Sequence, residues 1–246
     1  RLIAVALGAI AMLVGGWRLR ERRPDYGLVL QGAGVGLLYL VVFGALKLTG
    51  VMPPALAFAL LVAIAGFSAL LAVVQDSLVL AVMGISGGFL APILVSTGQG
   101  SHVMLFSYYA VLNAGILAIA WHRAWRALNL LGFVFTFVIG TLWGVTRYRP
   151  EAFASTEPFL ILFFLFYVGV ALLYARARAP ALRSYVDGTL IFGVPVIAFG
   201  LQVGLVQPYE FGASFSAAAL GAFYIALATW LFRRAGDGLR LLVEAF

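Results

Sequence analysis

The sequence predicts an all-α integral membrane protein, a polytopic bundle of about nine transmembrane helices. Of its 246 residues, 64% are hydrophobic and only 10% are charged. The mean hydropathy of +1.07 is higher than a water-soluble domain of this size can sustain. The apolar residues form continuous runs, whereas the strands of a membrane barrel would alternate apolar and polar side chains. These observations argue against an enzyme with its own aqueous domain and against a membrane barrel.

The uncharged runs divide the chain into nine predicted spans within a single membrane domain. A helix needs about 20 apolar residues to cross a hydrocarbon core of about 30 Å. Pro53 and Pro54 are expected to begin the third span and Pro158 the seventh, because proline is favoured in the first helical turn. The predicted spans are residues 2–17, 26–46, 54–74, 78–95, 103–121, 127–145, 159–175, 188–206 and 213–232.

The distribution of lysine and arginine predicts which turns face the cytoplasm. The chain has 16 Lys and Arg against 9 Asp and Glu, a net charge of +7. Because positive turns resist translocation, the arginine-rich side is predicted to be cytoplasmic. Because the Lys and Arg residues lie in short turns, they are expected to orient the chain in a lipid bilayer rather than to bind nucleic acid. Twelve of the 16 lie in alternate turns: Arg18, Arg20, Arg22, Arg23, Arg123, Arg126, Arg176, Arg178, Arg183, Arg233, Arg234 and Arg240.

The fourth span is unusual because it combines three glycines, Gly84, Gly87 and Gly88, with Pro92. Gly84 and Gly88 are four residues apart and share one helix face. Pro92 removes a helical hydrogen bond, as Pro195 does in the eighth span. One interpretation is close helix packing at the glycines. The other is a kinked helix whose freed backbone groups line a site in the outer half of the membrane.

Four polar side chains near these prolines are the candidate binding residues: Gln99, His102, Asn113 and Gln202. We predict that the fourth, fifth and eighth spans converge on a small polar pocket, with His102, Asn113 and Gln202 around one cavity. Interhelical hydrogen bonding is the alternative role for Asn113 and Gln202. His102 and His122 fall on opposite membrane faces, and the chain has no cysteine. No catalytic residue, metal or cofactor is therefore predicted.

Several stretches together form a recognisable pattern: residues 80–98 (LAVMGISGGFLAPILVSTG), 101–103, 105–109, Trp125, 128–133 with 140–144, 157–160 and 187–195. This pattern resembles a bacterial family of predicted membrane proteins, domain of unknown function 2339, from about residue 60 onward. The resemblance implies a multi-pass protein of the bacterial inner membrane and no known activity. Members are much longer chains. Since this sequence starts at Arg1 and ends in an apolar run, we expect a fragment whose partner is the remaining transmembrane portion.

Two classes of function remain. A transporter or flippase-like module for an envelope-related or lipidic substrate is favoured by the glycine- and proline-interrupted fourth and eighth spans. A non-catalytic membrane scaffold for cell-envelope assembly is favoured by the lack of buried charge. An enzyme is disfavoured, because it would need a histidine or carboxylate facing a cavity, and only His102 comes near.

Overall fold

The computed structural model describes residues 1–50, 52–95, 101–122, 125–177 and 185–234. It confirms the all-α membrane fold, since these residues contain nine α-helices and no strand. Seven of the described helices are long and apolar enough to cross a membrane. In the other two, the fourth and eighth, the described apolar stretches are shorter, Leu78–Ile93 and Ile191–Val206. Each of these two helices continues through its proline, Pro92 or Pro195.

Residues 1–101 form a first compact unit. Its second helix packs against the other three, and a short π-helical turn, Gly44–Leu48, follows it. Proline occupies the first turn of the second and third helices, where its missing N–H would have no helical partner. The helices of this first unit are α1 (Leu2–Leu19), α2 (Pro24–Phe43), α3 (Pro54–Val74) and α4 (Leu78–Val95).

Glycines bring α1 and α2 into backbone contact. A Cβ atom at Gly16 would lie 2.5 Å from the carbonyl oxygen of Gly27, and one at Gly34 would lie 2.9 Å from the carbonyl oxygen of Ala9. No side chain fits at these separations, so the two helices can pack this closely only through glycine.

The fourth-span glycines also lie at close helix contacts. A Cβ at Gly84 would collide with the Ser68 side chain of α3, and one at Gly87 would collide with the Tyr39 ring of α2. The Tyr39 hydroxyl donates a hydrogen bond to the Gly84 carbonyl oxygen at 3.0 Å. Gly88 is buried. In this unit Gly84 and Gly87 therefore lie at close helix contacts, and the choice between the packing and the kinked-helix interpretation stays a prediction.

Residues 102–246 form a second compact unit. Its α7 packs against α5, α6 and α8, and α8 also contacts α9. A single 3-10 turn, Pro150–Ala152, leads into α7. The helices of this second unit are α5 (His102–His122), α6 (Arg126–Arg147), α7 (Phe153–Ala177), α8 (Tyr185–Val206) and α9 (Gly212–Arg234).

The start of α7 differs from the predicted boundary. The helix begins at Phe153, so Pro158 lies inside it rather than at its start. Pro158 is the sixth residue of the helix, so it lies beyond the first turn and removes the hydrogen bond that an N–H at this position would donate to the carbonyl oxygen of Ala154. It is Pro150 that takes the first position of the 3-10 turn ahead of the helix.

The start of α5, the α6–α7 turn and the end of α8 meet at one end of the second unit. The Tyr148 hydroxyl donates to the carbonyl oxygen of Leu205 at 2.8 Å. His102 Nε2 lies 2.8 Å from Ser155 Oγ. We call this the His102 end.

Candidate binding groove

A partly open groove with a volume of about 390 Å³ lies among α5, α6, α7 and α8 of the second unit. Its lining residues on α6 run from Thr136 to Val145, a length of about 14 Å at about 1.5 Å per residue, and Tyr148 follows just after the helix. Small-molecule sites have volumes of about 300–1,000 Å³, so the groove has room for a small ligand. It is lined by Phe106, Thr136, Phe137, Gly140, Thr141, Trp143, Gly144, Val145, Tyr148, Thr156, Phe159, Leu160, Phe163, Gly200, Leu201, Gly204, Leu205 and Gln207.

Four glycines keep the groove open. Gly140 and Gly144 lie on α6 and Gly200 and Gly204 on α8, each pair four residues apart and hence on one helix face. Among the described residues, no neighbouring atom lies within 4 Å of the position that a Cβ would occupy at any of the four. In contrast to Gly84, these glycines do not permit a close contact. They leave space that side chains would otherwise fill.

Aromatic rings form one wall of the groove. The Phe106 ring of α5 lies 5.1 Å from Trp143, 5.7 Å from Phe159 and 6.2 Å from Phe163, measured between ring centroids. Such separations are typical of favourable tilted and edge-to-face pairs. The rings brace one another, so this wall is apolar and preformed.

The polar side chains of the groove are uncharged, and the described lining residues include no Asp, Glu, Lys, Arg or His. Thr141 Oγ1 donates to the carbonyl oxygen of Phe137 at 2.7 Å. Thr156 is only 6% exposed, and its Oγ1 has no hydrogen-bond partner among the described residues. A buried hydroxyl without a partner is rare in folded proteins and requires an explanation.

Tyr148 closes the groove at the His102 end. Burial raises the pKa of Tyr148 above its ordinary value, and the nearby Tyr209, Glu157 and Glu151 raise it further. The hydroxyl therefore stays protonated at neutral pH and donates its proton to the Leu205 carbonyl.

Asn113 lies where α5, α6 and α7 meet, and only 2% of it is exposed. Its Nδ2 donates to the Tyr109 carbonyl at 2.8 Å and to Thr136 Oγ1 at 2.9 Å. Its Oδ1 accepts a hydrogen bond of 2.5 Å from the Tyr167 hydroxyl. Both ends of the amide thus have partners inside the unit, and Thr136 links this network to the groove wall.

His102 connects the start of α5 to the first turn of α7. Ser155 Oγ donates to the carbonyl oxygen of Ala152 at 3.0 Å and lies 2.8 Å from His102 Nε2, so it links the imidazole to the turn before α7. The imidazole also packs on the groove-lining Trp143, with ring centroids 5.0 Å apart. His102 therefore supports the groove wall from outside the groove.

Gln202 joins three helices near the same end. Its Nε2 donates to Glu157 Oε1 of α7 at 2.6 Å and lies 3.2 Å from Ser216 Oγ of α9. The carboxylate of Glu157 is half-buried and accepts this hydrogen bond from the Gln202 amide. Because Glu157 follows Thr156 directly, the Gln202 contact fixes the turn that carries Thr156.

The structure does not bring His102, Asn113 and Gln202 together around this groove. None of the three is among its described lining residues. Each supports a lining residue, or the neighbour of one, through the contacts given above. Gln99 lies outside the described residues. A direct role of these side chains in binding stays a prediction.

Pro195 lines a second, more open cavity of about 390 Å³ between α8 and α9. Its lining is almost wholly apolar and includes Phe192, Phe199 and Leu220. The cavity therefore offers surface to an apolar molecule but few groups that could orient it.

The groove-lining residues were not selected from the sequence. The available signal was the glycine pair four apart in each of the sixth and eighth spans. That spacing predicts a shared face, but it is the same for a close helix contact and for an open groove.

A family of predicted membrane proteins, DUF2339, matches the chain over residues 1–246. The match extends the resemblance seen from about residue 60 to the whole sequence. No curated protein and no solved structure matches the chain. The family description states membrane location and no activity. The chain therefore belongs to the DUF2339 family of predicted membrane proteins.

Proposed function

We propose that the second unit holds a lipidic molecule in the groove and helps it move between the two leaflets of the bacterial inner membrane, as a flippase-like transporter. The observation that carries this proposal is the open space beside Gly140, Gly144, Gly200 and Gly204. A bundle selected only for packing would fill that space with side chains, because voids forfeit dispersion contacts.

An apolar chain suits this groove energetically. Lipid tails are as apolar as leucine, so a chain that leaves the bilayer for the groove neither gains nor loses much transfer free energy. Entry and exit are then both easy, as transport requires. Selectivity must come from shape and from the few polar groups.

The uncharged lining favours a ligand segment without charge. A charge in the membrane interior is costly unless it is paired. The described lining offers hydroxyls and an amide at Gln207, but no cation or carboxylate as a partner.

A membrane scaffold is the second candidate, and the Asn113 network supports it. Asn113, Thr136 and Tyr167 are each no more than 2% exposed and satisfy one another across three helices. Such networks rigidify a core and specify its packing. A scaffold needs this rigidity, but it has no use for an open groove.

We further infer that the arginine-rich turns face the cytoplasm, which places the His102 end on the outer side. The support is the concentration of 12 of the 16 Lys and Arg residues in alternate turns. In this orientation the groove occupies the outer half of the membrane.

Leaflet exchange of a fluorescent single-chain lipid in proteoliposomes tests the proposed function. Leucines at Gly140 and Gly204 would occupy the groove without a backbone collision, since both positions face open space. We expect the protein-dependent exchange rate of the Gly140→Leu, Gly204→Leu variant to fall about tenfold or more. A tenfold change corresponds to a free-energy difference of about 1.4 kcal/mol.

The matched control is Gly115→Leu, an open glycine of α5 outside the described groove lining. It should exchange lipid at the wild-type rate. Wild-type protein that exchanges lipid no faster than empty liposomes would reject the transporter and favour the scaffold. A filled variant as fast as wild type would reject the groove as the route.

A further inference from the structure

Thr156 occupies a distinctive place in the first turns of α7. On one side Ser155 is engaged by His102, and on the other Glu157 is engaged by Gln202. Thr156 lies between them, lines the groove, is 94% buried and has no hydrogen-bond partner for Oγ1 among the described residues.

An unpartnered hydroxyl in this position weakens the fold unless it binds something. Valine has nearly the same shape and would avoid the desolvation cost of the hydroxyl. The hydroxyl oxygen is shielded from water in this structure. A threonine in a helix has two accessible χ1 rotamers, however, and a rotation of about 120° moves the hydroxyl to the position held by the methyl group or by the hydrogen on Cβ. Because Thr156 lines the groove, we expect such a rotation to bring the hydroxyl to a bound ligand.

The other hydroxyls of the groove are already committed. Thr141 donates to the Phe137 carbonyl and Tyr148 to the Leu205 carbonyl. Thr136 belongs to the Asn113 network. Among the buried hydroxyls of the described lining, Thr156 is therefore the one whose proton has no acceptor.

We propose that Thr156 is the recognition point for the polar head of the ligand, and that the ligand is a single-chain lipid whose head is an uncharged hydrogen-bonding group, a hydroxyl or a carbonyl. The inference rests on the proposed function and adds the substrate class. The described lining has no charged residue, so an ionic head beside Thr156 would have no charged partner there.

The test is saturable binding of labelled tetradecanol to the chain in lipid nanodiscs, with Thr156→Val and Thr156→Ser compared with wild type. Removing one net hydrogen bond should weaken tetradecanol binding by about threefold to tenfold in Thr156→Val. Thr156→Ser keeps the hydroxyl and should bind within about twofold of wild type. Tetradecyl phosphate, which carries a charged head, should compete poorly.

Thermal unfolding without added probe separates recognition from a structural role. Thr156→Val should be at least as stable as wild type, because it removes an unsatisfied hydroxyl. Unchanged tetradecanol affinity in Thr156→Val, or a loss of stability that accompanies the loss of affinity, would overturn the inference. Equal or tighter binding of tetradecyl phosphate would overturn the assigned head group.

The groove-filled variant distinguishes these failures from failure of the proposed function. If Thr156→Val binds like wild type while Gly140→Leu, Gly204→Leu does not bind, the groove holds the chain and only the role of Thr156 is rejected. If wild type itself shows no saturable tetradecanol binding, the lipid-binding groove is rejected together with this inference.

Discussion

Gly132→Leu is expected to prevent the second unit from folding. A Cβ at Gly132 would collide with the Ile116 side chain of α5 and lie 2.8 Å from the Tyr167 hydroxyl. Overpacking of this kind costs about 1–3 kcal/mol. Displacing Tyr167 also removes the hydrogen bond to Asn113 and leaves a buried amide short of a partner, at a further cost of about 1–3 kcal/mol. Together these costs are comparable with the whole stability of many domains.

The measurement is the yield of monodisperse protein in mild detergent and its thermal unfolding midpoint. Gly115→Leu is the matched control, because it adds the same side chain to the same unit where no neighbouring atom lies within 4 Å. The control should retain the wild-type yield, and Gly132→Ala should fall between the two. Equal stability of Gly132→Leu and Gly115→Leu would show that the contact of α6 with Ile116 and Tyr167 is not close in the protein.

In intact cells, single cysteines on the outer side of the membrane are expected to be labelled and those on the cytoplasmic side are not. The native chain has no cysteine, so each introduced thiol reports alone. Cysteines at Ser101 and Glu210 should react with an impermeant thiol reagent in intact cells. Cysteines at Glu21 and Ser184 should react only after permeabilisation. Ser184 lies outside the described residues, whereas the other three positions are exposed.

The physical reason is the resistance of positive turns to translocation. Arg18, Arg20, Arg22 and Arg23 surround the Glu21 position, whereas the segment around Ser101 carries no arginine or lysine. Equal labelling at Glu21 and Ser101 in intact cells would refute the orientation. Labelling at Glu21 but not at Ser101 would reverse the orientation and place the groove in the inner half of the membrane.

The helices could be predicted because each depends on a local property of the chain. Long apolar runs identify helices that satisfy their own backbone hydrogen bonds in lipid, and the nine described helices fall where those runs were predicted. Helix starts were less certain. Pro158 was expected to begin α7, but the helix starts five residues earlier at Phe153 and continues through this proline.

The candidate site was harder to predict because it depends on which faces meet. Asn113 was selected as a polar residue inside a predicted span, yet whether it contacts a ligand or a neighbouring helix depends on Thr136 and Tyr167, which lie 23 and 54 residues away. Likewise Gly84 and Gly140 have similar sequence surroundings. One contacts Ser68 and the other faces open space, and helix periodicity alone does not distinguish them.

Fluorescence quenching of Trp143 tests the central claim, that the groove holds an apolar chain, most directly. Trp143 lines the groove, whereas Trp121 is 70% exposed on α5 and outside the described lining. Two single-tryptophan proteins would be made, each keeping one of these residues and with phenylalanine at the other four tryptophan positions. Each would be titrated in nanodiscs with tetradecanol brominated along its chain.

The account predicts saturable quenching of Trp143 that unbrominated tetradecanol reverses and that Gly140→Leu, Gly204→Leu abolishes. Trp121 should show only the weak, unsaturable quenching expected for contact with bulk lipid. Unsaturable quenching of Trp143, unchanged by competitor and by the leucines in the groove, would contradict the account and leave the second unit without a lipid-binding groove.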